Sequence, residues 1–274
     1  MGRFRAGRSG IEALVCDLDG VVYRGKSAVA HAVEVLRAVS VPVVYATNNA
    51  SRPPAEIAAH LRELGLAVGK DGVVTSAQAG AAAVAERLPG GRVLSVGGDG
   101  VRLALEEAGL VTLSTADRCE AVLQGYGPGV RAADLAEASY AVAGGAWWVA
   151  TNTDATIPDE RGTAPGNGAL VAAVEMAVGR PPDRVVGKPH PDLYIVAATR
   201  LGVAPERILV VGDRLDTDIQ GAIAAGMPSA LVLTGVHSRE MAEQAPTARR
   251  PDIVIDDLRA LRDVVPMSQD ASLG

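Results

Sequence analysis

Aromatic residues are scarce in this chain of 274 residues, which has one Phe, two Trp and five Tyr, 3% of the total. Proteins that bind single-stranded nucleic acid stack bases on aromatic side chains, so this composition disfavours that class. Hydrophobic residues nevertheless make up 48% of the chain, and a core must therefore be built from Ala, Val, Leu and Ile. Such a core is typical of buried parallel strands covered by Ala-rich helices, and it predicts an α/β protein.

Cysteine, positive charge and long apolar runs are also in short supply. Two cysteines, Cys16 and Cys119, are too few for a disulfide framework and too far apart for a C-x-x-C metal site. A net charge of −6 offers no basic surface for nucleic acid or an anionic membrane. The apolar runs fall short of the ~20 residues that span a bilayer, and the basic N-terminus lacks the apolar segment of a secretory signal. We therefore expect a soluble, cytoplasmic protein that binds neither nucleic acid nor membrane.

Short β-branched runs alternate with longer helical patterns along the chain. The predicted strands are 11–16, 41–46, 73–75, 93–96, 121–123, 147–150, 208–211 and 229–233. The predicted helices are 28–39, 53–64, 79–88, 99–108, 135–143, 168–178, 193–201 and 218–225. This alternation indicates βαβ units and a parallel sheet, in which ligands bind at the carboxyl ends of the strands.

A chain of this length suits one large domain or two unequal ones. Turn-forming residues are concentrated from 158 to 168, and Gly179-Arg-Pro-Pro182 is typical of a linker. The expected boundaries are 11–76 and 183–265 for a discontinuous core, 77–182 for a smaller inserted α/β unit, and 1–10 and 266–274 for flexible termini.

The first predicted strand runs directly into Asp17-Leu-Asp19-Gly20. Residues two apart on a strand share a face, so the carboxylates of Asp17 and Asp19 would project into one small space. Like charges so close disfavour joint ionisation unless a cation lies between them or one carboxylate takes up a proton. The pattern therefore predicts a hard-cation site, with Mg²⁺ favoured by oxygen ligands, and a carboxylate nucleophile. A solvated loop with Asp in turn positions is the simpler alternative.

Two further segments carry groups suited to phosphate. The second strand ends in Thr47-Asn48, where a hydroxyl and backbone N–H groups ahead of a helix could bind phosphate oxygens. Taken alone, that cluster is more typical of an ordinary helix cap. Lys188 lies in Gly187-Lys-Pro-His-Pro191, whose rigid backbone suits the positioning of one ammonium group. A surface lysine in a turn is the alternative there.

Acidic residues recur where the strand at 208–211 gives way to a helix, in Gly212-Asp-Arg-Leu-Asp-Thr-Asp218. Asp213 follows the strand and its glycine directly, where a second carboxylate for a metal would belong. A helix cap is the simpler interpretation of Asp218. Four strand ends or turns that carry Asp-x-Asp, Thr, Lys and Asp are stronger evidence together than any one of them is alone.

Together these segments resemble the haloacid-dehalogenase-like hydrolases, in the p-nitrophenyl-phosphatase-like branch that has a C2-type α/β cap between its second and third motifs. The matching segments, in the family's order and spacing over about residues 11–235, are Asp17–Tyr23, Thr47–Pro53, Pro165–Gly168, Gly187–Pro191 and Gly212–Ile219. The resemblance implies a Rossmann-like parallel-sheet core, with the smaller cap acting as a lid over the site.

The resemblance also implies a mechanism. Asp17 would attack phosphorus to form an aspartyl-phosphate, while Asp19 would protonate the leaving oxygen and then deprotonate the attacking water. The ligands of Mg²⁺ would be Asp17, Asp213 and the backbone carbonyl of Asp19. The groups that bind the phosphate oxygens would be Thr47, Asn48 and Lys188. Asp218 would orient Lys188 or the metal loop.

The segment from Thr151 to Pro158 is the best candidate for a loop that selects the substrate. Asn152 and Asp154 could hydrogen-bond substrate hydroxyls, although an Asx turn explains Asn152 equally well. Relatives that dephosphorylate pyridoxal phosphate usually carry His where this chain has Ile157, which argues against that substrate. The segment looks more like those of glycerol-phosphate and phosphoglycolate phosphatases.

We therefore expect a Mg²⁺-dependent phosphatase of small phosphorylated metabolites, with glycerol 3-phosphate favoured. Phosphoglycolate, sugar phosphates and nucleotides are alternative substrates. A phosphotransferase or mutase that uses the same aspartyl-phosphate, and a non-catalytic phospholigand-binding module, are alternatives of a different class.

Two other features call for a simpler interpretation. Gly97-Gly-Asp-Gly100 lacks the full spacing of a dinucleotide-binding motif. Trp147-Trp148 is more typical of packing or of an interface than of ligand stacking. An exposed face at that pair would suggest a homodimer formed through the cap.

Overall fold

The computed structural model describes residues 10–159 and 161–268. In chain order, strands β1 to β15 are Ala13–Cys16, Tyr23–Arg24, Ser27–Ala28, Val43–Thr47, Val73–Thr75, Arg92–Val96, Val111–Leu113, Ala121–Gln124, Trp147–Ala150, Thr156–Asp159, Gly162–Pro165, Arg184–Val185, Ile208–Gly212, Ser229–Val232 and Ile253–Ile255. Helices α1 to α9 are Ala32–Ala38, Pro54–Glu63, Ser76–Arg87, Asp99–Glu107, Ala132–Ala143, Asn167–Val178, Asp192–Leu201, Gln220–Ala224 and Arg239–Glu243. A π-helical turn, Leu215–Ile219, leads into α8.

The described residues form two compact units. The first contains residues 10–47, 55–74 and 188–268, and the second contains residues 48–54, 75–159 and 161–187. Residues 48–54, which the sequence analysis assigned to the core, therefore group with the second unit.

The first unit is built on a six-stranded sheet with the order β15-β14-β13-β1-β4-β5. Strand β1 is parallel to both β13 and β4, and β14 is parallel to both β13 and β15. All four residues of β1 are fully buried, as expected of a central parallel strand whose two faces are covered by helices. The α/β class predicted from the Ala- and Val-rich composition is confirmed.

The register of this sheet brings three strand ends level with one another. Cys16, the last residue of β1, is paired with Val211 of β13 and with Tyr45 of β4. The next amide, Asp17 N–H, still donates to the Val211 carbonyl at 2.9 Å. The residues that follow β1, β4 and β13 therefore leave the sheet at one edge, where the sequence carries its acidic and hydroxyl groups.

The second unit has its own parallel sheet, with the order β12-β9-β8-β6-β7. Trp148 on β9 is completely buried in its core, and its indole N–H donates to Gln124 Oε1 at 3.0 Å. Trp147 is half-buried, with the Arg87 guanidinium 4.8 Å from the centre of its ring. Packing therefore accounts for both tryptophans.

Two glycines at the start of α4 allow a close approach of the segment 48–54 within the second unit. A Cβ atom on Gly98 would lie 2.4 Å from the Ser51 carbonyl oxygen, and one on Gly100 would lie 2.4 Å from the Ala50 carbonyl oxygen. Contacts that short exclude any side chain at either position. The glycine-rich segment is thus explained by backbone packing.

Several predicted boundaries differ from those of the structure because short strands were missed. The helix expected from residue 28 begins at Ala32, since Tyr23–Arg24 and Ser27–Ala28 form a hairpin around Gly25, whose φ is +59°. The turn-rich segment from 158 to 168 is largely a second hairpin, in which β10 pairs antiparallel with β11. Strands of two to four residues carry too little periodicity to be read from the sequence.

The first residues of the expected C-terminal tail are hydrogen-bonded to the end of α1. Residues 266–268 were assigned to a flexible tail, but Ser268 N–H donates to the Ala38 carbonyl at 2.7 Å, and Met267 bridges Val39. The other predicted terminal residues, 1–9 and 269–274, lie outside the described residues.

Across the described residues, none of the helices combines the length and the apolar character that crossing a membrane would require.

Candidate active site

Lys188 and two carboxylates form a buried ion-pair cluster at the strand-end edge of the first unit. Its ammonium group lies 2.5 Å from Asp17 Oδ1 and 2.7 Å from Asp218 Oδ1, and it is 3.4 Å from the Ala46 carbonyl oxygen. The side chains of Lys188 and Asp218 are 5% and 1% exposed, and that of Asp17 is 12% exposed. Of these three side chains, only Asp17 retains appreciable access to solvent, as an attacking group requires.

The position of Asp218 depends on the π-helical turn that precedes α8. Its second carboxylate oxygen accepts from Arg214 N–H at 3.1 Å, which leaves the first oxygen directed to Lys188. A Cβ atom on Gly212 would lie 2.2 Å from the Asp218 Cβ, so only glycine fits at the end of β13. The sequence analysis offered Asp218 as a helix cap or as an orienting residue, and the geometry shows it bound to Lys188.

Asp213 lies beside this cluster and is 2% exposed. Its Oδ2 accepts from Val236 N–H at 2.9 Å. Burial, and next the charge of Asp218, raises the pKa of Asp213 from 3.8 to about 6. A carboxylate buried as deeply as Asp213 suits the role of a ligand for a cation.

The donor set at this edge fits Mg²⁺. Carboxylate oxygens of Asp17, Asp213 and Asp218 lie within 4.8 Å of one another, and Lys188 compensates only one of the three charges. Burial, and next the charge of Asp218, raises the pKa of Asp17 well above its ordinary value, although Lys188 opposes the shift. A hard cation among these oxygens would favour their ionised forms.

The ammonium of Lys188 remains charged despite its surroundings. Burial by itself lowers the pKa of Lys188, but Asp17 and then Asp218 outweigh that effect and raise the pKa well above its ordinary value. Lys188 therefore offers a permanent positive charge beside Asp17.

Asp19 lies in the exposed part of the turn after β1, and its backbone bridges Tyr23. The turn is closed by Gly20, whose N–H donates to the Tyr23 carbonyl at 2.8 Å. Gly20 has φ +81°, and a Cβ there would lie 2.4 Å from Asp213 Oδ2. The conformation and the space at this position both require glycine.

Thr47 is the buried last residue of β4, and Asn48 begins the second unit. The Asn48 carbonyl accepts from Ser76 Oγ at 2.6 Å and from Asn152 Nδ2 at 2.8 Å. The Asn48 side chain donates to Asp154 Oδ2 at 3.2 Å. The predicted phosphate-binding residue Asn48 and the predicted specificity residues Asn152 and Asp154 are therefore brought together within the second unit.

Asn152 is held as an Asx turn, the alternative that the sequence left open. Its Oδ1 accepts from Asp154 N–H at 3.1 Å, and the residue is 4% exposed. The buried amide of Asn167 donates to the Asn152 carbonyl at 2.7 Å. Ile157 lies half-buried on β10. A contact of these residues with substrate stays a prediction.

Sequence reasoning missed Ser76, Asn167 and the loop of residues 234–237 that binds Asp213. The loop had a usable signal, since it follows the predicted strand 229–233 and the rule of strand ends applies to it as well. Asn167 lies in the segment Pro165–Gly168 that matches the family, although no role was assigned to it, and Ser76 had no signal because its partner is a distant carbonyl group.

Comparison with known proteins places the chain among hydrolases. Residues 14–111 match the family model described as haloacid dehalogenase-like hydrolase, and residues 185–261 match the one described as HAD-hydrolase-like. The chain is 47% identical over 252 residues to the D-glycerol 3-phosphate phosphatase of Mycobacterium tuberculosis, which covers 91% of this chain and 70% of that protein. It is 37% identical over 232 residues to the acid sugar phosphatase of Staphylococcus aureus, and this match covers 84% of this chain and 89% of that protein.

Two solved structures extend the comparison to the fold. A glycerol phosphate phosphatase from M. tuberculosis in complex with magnesium superposes with a TM-score of 0.88 at 47% identity, covering 92% of this chain and 77% of that one. A p-nitrophenyl phosphatase from Archaeoglobus fulgidus superposes with a TM-score of 0.84 at 30% identity, covering 91% and 97%. The chain belongs to the haloacid dehalogenase-like hydrolases, in the branch that includes the p-nitrophenyl phosphatases.

Proposed function

We propose that this phosphatase hydrolyses small phosphomonoesters with Mg²⁺, glycerol 3-phosphate first among them, and that Asp17 is transiently phosphorylated. The observation that carries the proposal is the contact of one partly accessible carboxylate, Asp17, with the buried ammonium of Lys188, beside Asp213 and Asp218. An anionic nucleophile that attacks an anionic ester needs this kind of compensation by positive charge.

The residues that hold Mg²⁺ are Asp17, Asp213 and the Asp19 carbonyl, in the arrangement that the family resemblance implies. When bound, the cation offsets the negative charge of nucleophile and phosphate and so lowers the barrier to their approach. Asp218 acts on Lys188, because its Oδ1 is already bound to that ammonium at 2.7 Å.

The reaction has two steps. In the first, an oxygen of Asp17 forms a bond to phosphorus, the bond from phosphorus to the leaving oxygen breaks, and Asp19 gives that oxygen its proton. In the second, Asp19 takes a proton from a water molecule that attacks the same phosphorus, and the bond to Asp17 breaks to release inorganic phosphate. Lys188 and the Thr47 hydroxyl, with Asn48, bind the phosphoryl oxygens in both steps. The exposure of Asp19 fits a group that exchanges protons with water between the steps.

Support for the substrate comes from the relatives and from one residue. The M. tuberculosis relative at 47% identity is a D-glycerol 3-phosphate phosphatase, and Ile157 stands where pyridoxal-phosphate phosphatases usually have His. The S. aureus relative is an acid sugar phosphatase, so a sugar phosphate is the second candidate. We further propose that residues 77–182, which make up most of the second unit, form the cap, and that the cap selects the leaving group.

A phosphate-release screen tests the function. We expect release from glycerol 3-phosphate with Mg²⁺, loss of release in EDTA, and a higher kcat/KM for glycerol 3-phosphate than for sugar phosphates, phosphoglycolate, a nucleoside monophosphate or pyridoxal phosphate. A higher kcat/KM for any of the other esters would contradict glycerol 3-phosphate as the preferred substrate. Transfer of phosphate to an added acceptor in place of water would favour a phosphotransferase, and no turnover of any ester would favour a binding module.

A homodimer formed through the second unit is a further part of the proposal. Trp148 is buried, so the tryptophan pair offers little surface, but Tyr140 on α5 and Met176 on α6 are 65% and 88% exposed. These two helices pack against each other, and large exposed apolar side chains on neighbouring helices suit an interface. Light scattering should give the mass of two chains, and of one chain for Met176→Glu. A single-chain mass for the wild type would contradict the dimer.

We also propose a cytoplasmic location. Cys16 and Cys119 are both free thiols, which suits a reducing compartment. Recovery of the protein in the membrane fraction of lysed cells would be evidence against it.

A further inference from the structure

A four-residue loop, Thr234 to His237, contacts two segments of the first unit: the turn that carries Asp19 and the strand end that carries Asp213. The loop follows β14, and its first residue reaches the turn after β1, because Thr234 Oγ1 donates to the Gly20 carbonyl at 2.8 Å. The guanidinium of Arg24, in the hairpin after that turn, donates to the Thr234 carbonyl. The first contact joins the loop to the residue that follows Asp19, and the second joins it to the hairpin beyond that turn.

The other end of the same loop holds Asp213. Val236 N–H donates to Asp213 Oδ2 at 2.9 Å, and His237 N–H donates to the Asp213 carbonyl at 3.2 Å. The His237 ring accepts from Leu215 N–H through Nδ1 at 3.3 Å. Side chain and backbone of Asp213 are thus both bound by residues 236 and 237.

The centre of the loop packs closely against one side of Asp213. A Cβ atom on Gly235 would lie 1.9 Å from Asp213 Oδ2 and 2.1 Å from the Asp213 Cβ. A Cβ on Gly20 would lie 3.2 Å from the Gly235 Cα. The turn at Gly20 and the loop at Gly235 therefore both lie against the Asp213 carboxylate, and a side chain at either glycine would collide with it.

We propose that residues 234–237 set the affinity of the cation site, and that Thr234 is a positioning residue for it. The proposal rests on the proposed Mg²⁺ site of Asp17, Asp213 and the Asp19 carbonyl. Ligands that are already oriented by hydrogen bonds lose less conformational freedom when the ion binds. Substitution of a residue that orients a metal ligand typically weakens metal affinity about 10- to 100-fold. Thr234 joins the turn that carries the Asp19 carbonyl to the loop that holds Asp213, so the distance between two of the ligands depends on it.

Thr234→Val tests the proposal, since it keeps the shape of the side chain and removes the hydroxyl donor. Titration calorimetry of the substrate-free protein with Mg²⁺ should show binding about 10-fold weaker than in the wild type. Thr234→Ser, which restores the donor, should bind Mg²⁺ nearly as the wild type does. In turnover assays, Thr234→Val should need more Mg²⁺ for half-maximal rate and approach the wild-type kcat at saturating Mg²⁺.

A matched control is available on α7. Thr199 Oγ1 also donates to a backbone carbonyl, that of Ile195 at 2.9 Å, and Thr199→Val should leave Mg²⁺ binding unchanged. Should Thr234→Val fold poorly, Arg24→Met provides a second variant, because it removes the other contact of the loop from an exposed position. It should weaken Mg²⁺ binding several-fold.

Two results separate this proposal from the proposed function. Mg²⁺ binding by Thr234→Val or Arg24→Met as tight as in the wild type would overturn the role of the loop, whatever the enzyme hydrolyses. Wild-type protein that binds Mg²⁺ and loses that affinity in the variants, yet releases no phosphate from any ester, would leave the loop proposal intact and refute the phosphatase.

Discussion

Asp17→Asn is expected to reduce phosphate release by a factor of about 10⁴ or more, the scale seen when a catalytic nucleophile is removed. Asn has the shape of Asp, but its amide is too weak a nucleophile to form the phosphorylated intermediate. The side chain of Asp17 is the one member of the ion-pair cluster with access to solvent, at 12% exposed. The measurement is phosphate release under saturating Mg²⁺ and substrate.

The same variant should keep or gain stability when metal is absent. Burial and the neighbouring Asp218 raise the pKa of Asp17 well above its ordinary value, which means that its ionised form is disfavoured in the fold. Removing that charge still leaves Lys188 paired with Asp218. Thermal unfolding in EDTA should therefore give a melting temperature equal to or above that of the wild type. A lower one would show that lost activity reflects lost structure.

Asp216 provides the matched control for Asp17. It is an acidic residue near the same edge, and it pairs with Arg214 in an ion pair with exposed side chains, 2.9 Å apart. We expect Asp216→Asn to keep near wild-type turnover. Turnover retained by Asp17→Asn would refute Asp17 as the nucleophile.

Lys188→Met is expected to be the most destabilising single change in the site, by about 3–5 kcal/mol, because removing one partner leaves buried charge without compensation. Asp17 and Asp218 would then face one another across the space that the ammonium occupies, 2.5 Å and 2.7 Å from them in the intact protein. Urea unfolding in EDTA measures the loss. Activity should fall as well, since the positive charge beside the phosphoryl group is gone.

The destabilisation should depend on pH with a definite sign. Burial and the charge of Asp218 raise the pKa of Asp17 in the fold, and without the ammonium nothing from Lys188 opposes that shift. Protonation of Asp17 then favours the folded state, so the difference in stability between Lys188→Met and wild type should shrink as the pH falls and grow as it rises through the raised pKa of Asp17. If Lys188→Met lost the same amount of stability at low and at neutral pH, the loss would come from altered packing and not from uncompensated charge.

A double variant separates stability from catalysis. Lys188→Met combined with Asp218→Asn removes the ammonium and one carboxylate together, so the stability in EDTA should recover for the most part while turnover stays low. If the double variant were no more stable than Lys188→Met, the ion pair of Lys188 with Asp218 would not be the source of the effect.

The strand ends were the part of the site that could be predicted from sequence. Asp17 and Asp213 each follow a run of apolar residues, and a parallel sheet places the ends of such runs at one edge. Lys188 was predicted with less support, because no predicted strand leads into it and only the glycine and prolines around it suggested a fixed position. Its two contacts with Asp17 and Asp218 span 171 and 30 residues of sequence.

Asn152 shows where a residue type did not define a role. An asparagine in that segment suits either a substrate hydroxyl or a local turn. Its side chain binds the Asn48 carbonyl, 104 residues earlier, and the Asp154 amide, two residues later. The hairpins at 23–28 and 156–165 were missed for a related reason, since strands this short are defined by their partner and not by their own pattern.

The sequence by itself determined the α/β class, the order of the motifs and the kinds of chemical group at the strand ends, because apolar periodicity and residue type are local properties. Only the tertiary structure decided which oxygen of Asp218 binds Lys188, how the loop of residues 234–237 surrounds Asp213, and why Gly20, Gly212 and Gly235 have no room for a side chain. Those features depend on contacts between segments far apart in the chain, whose distances follow from strand register and packing.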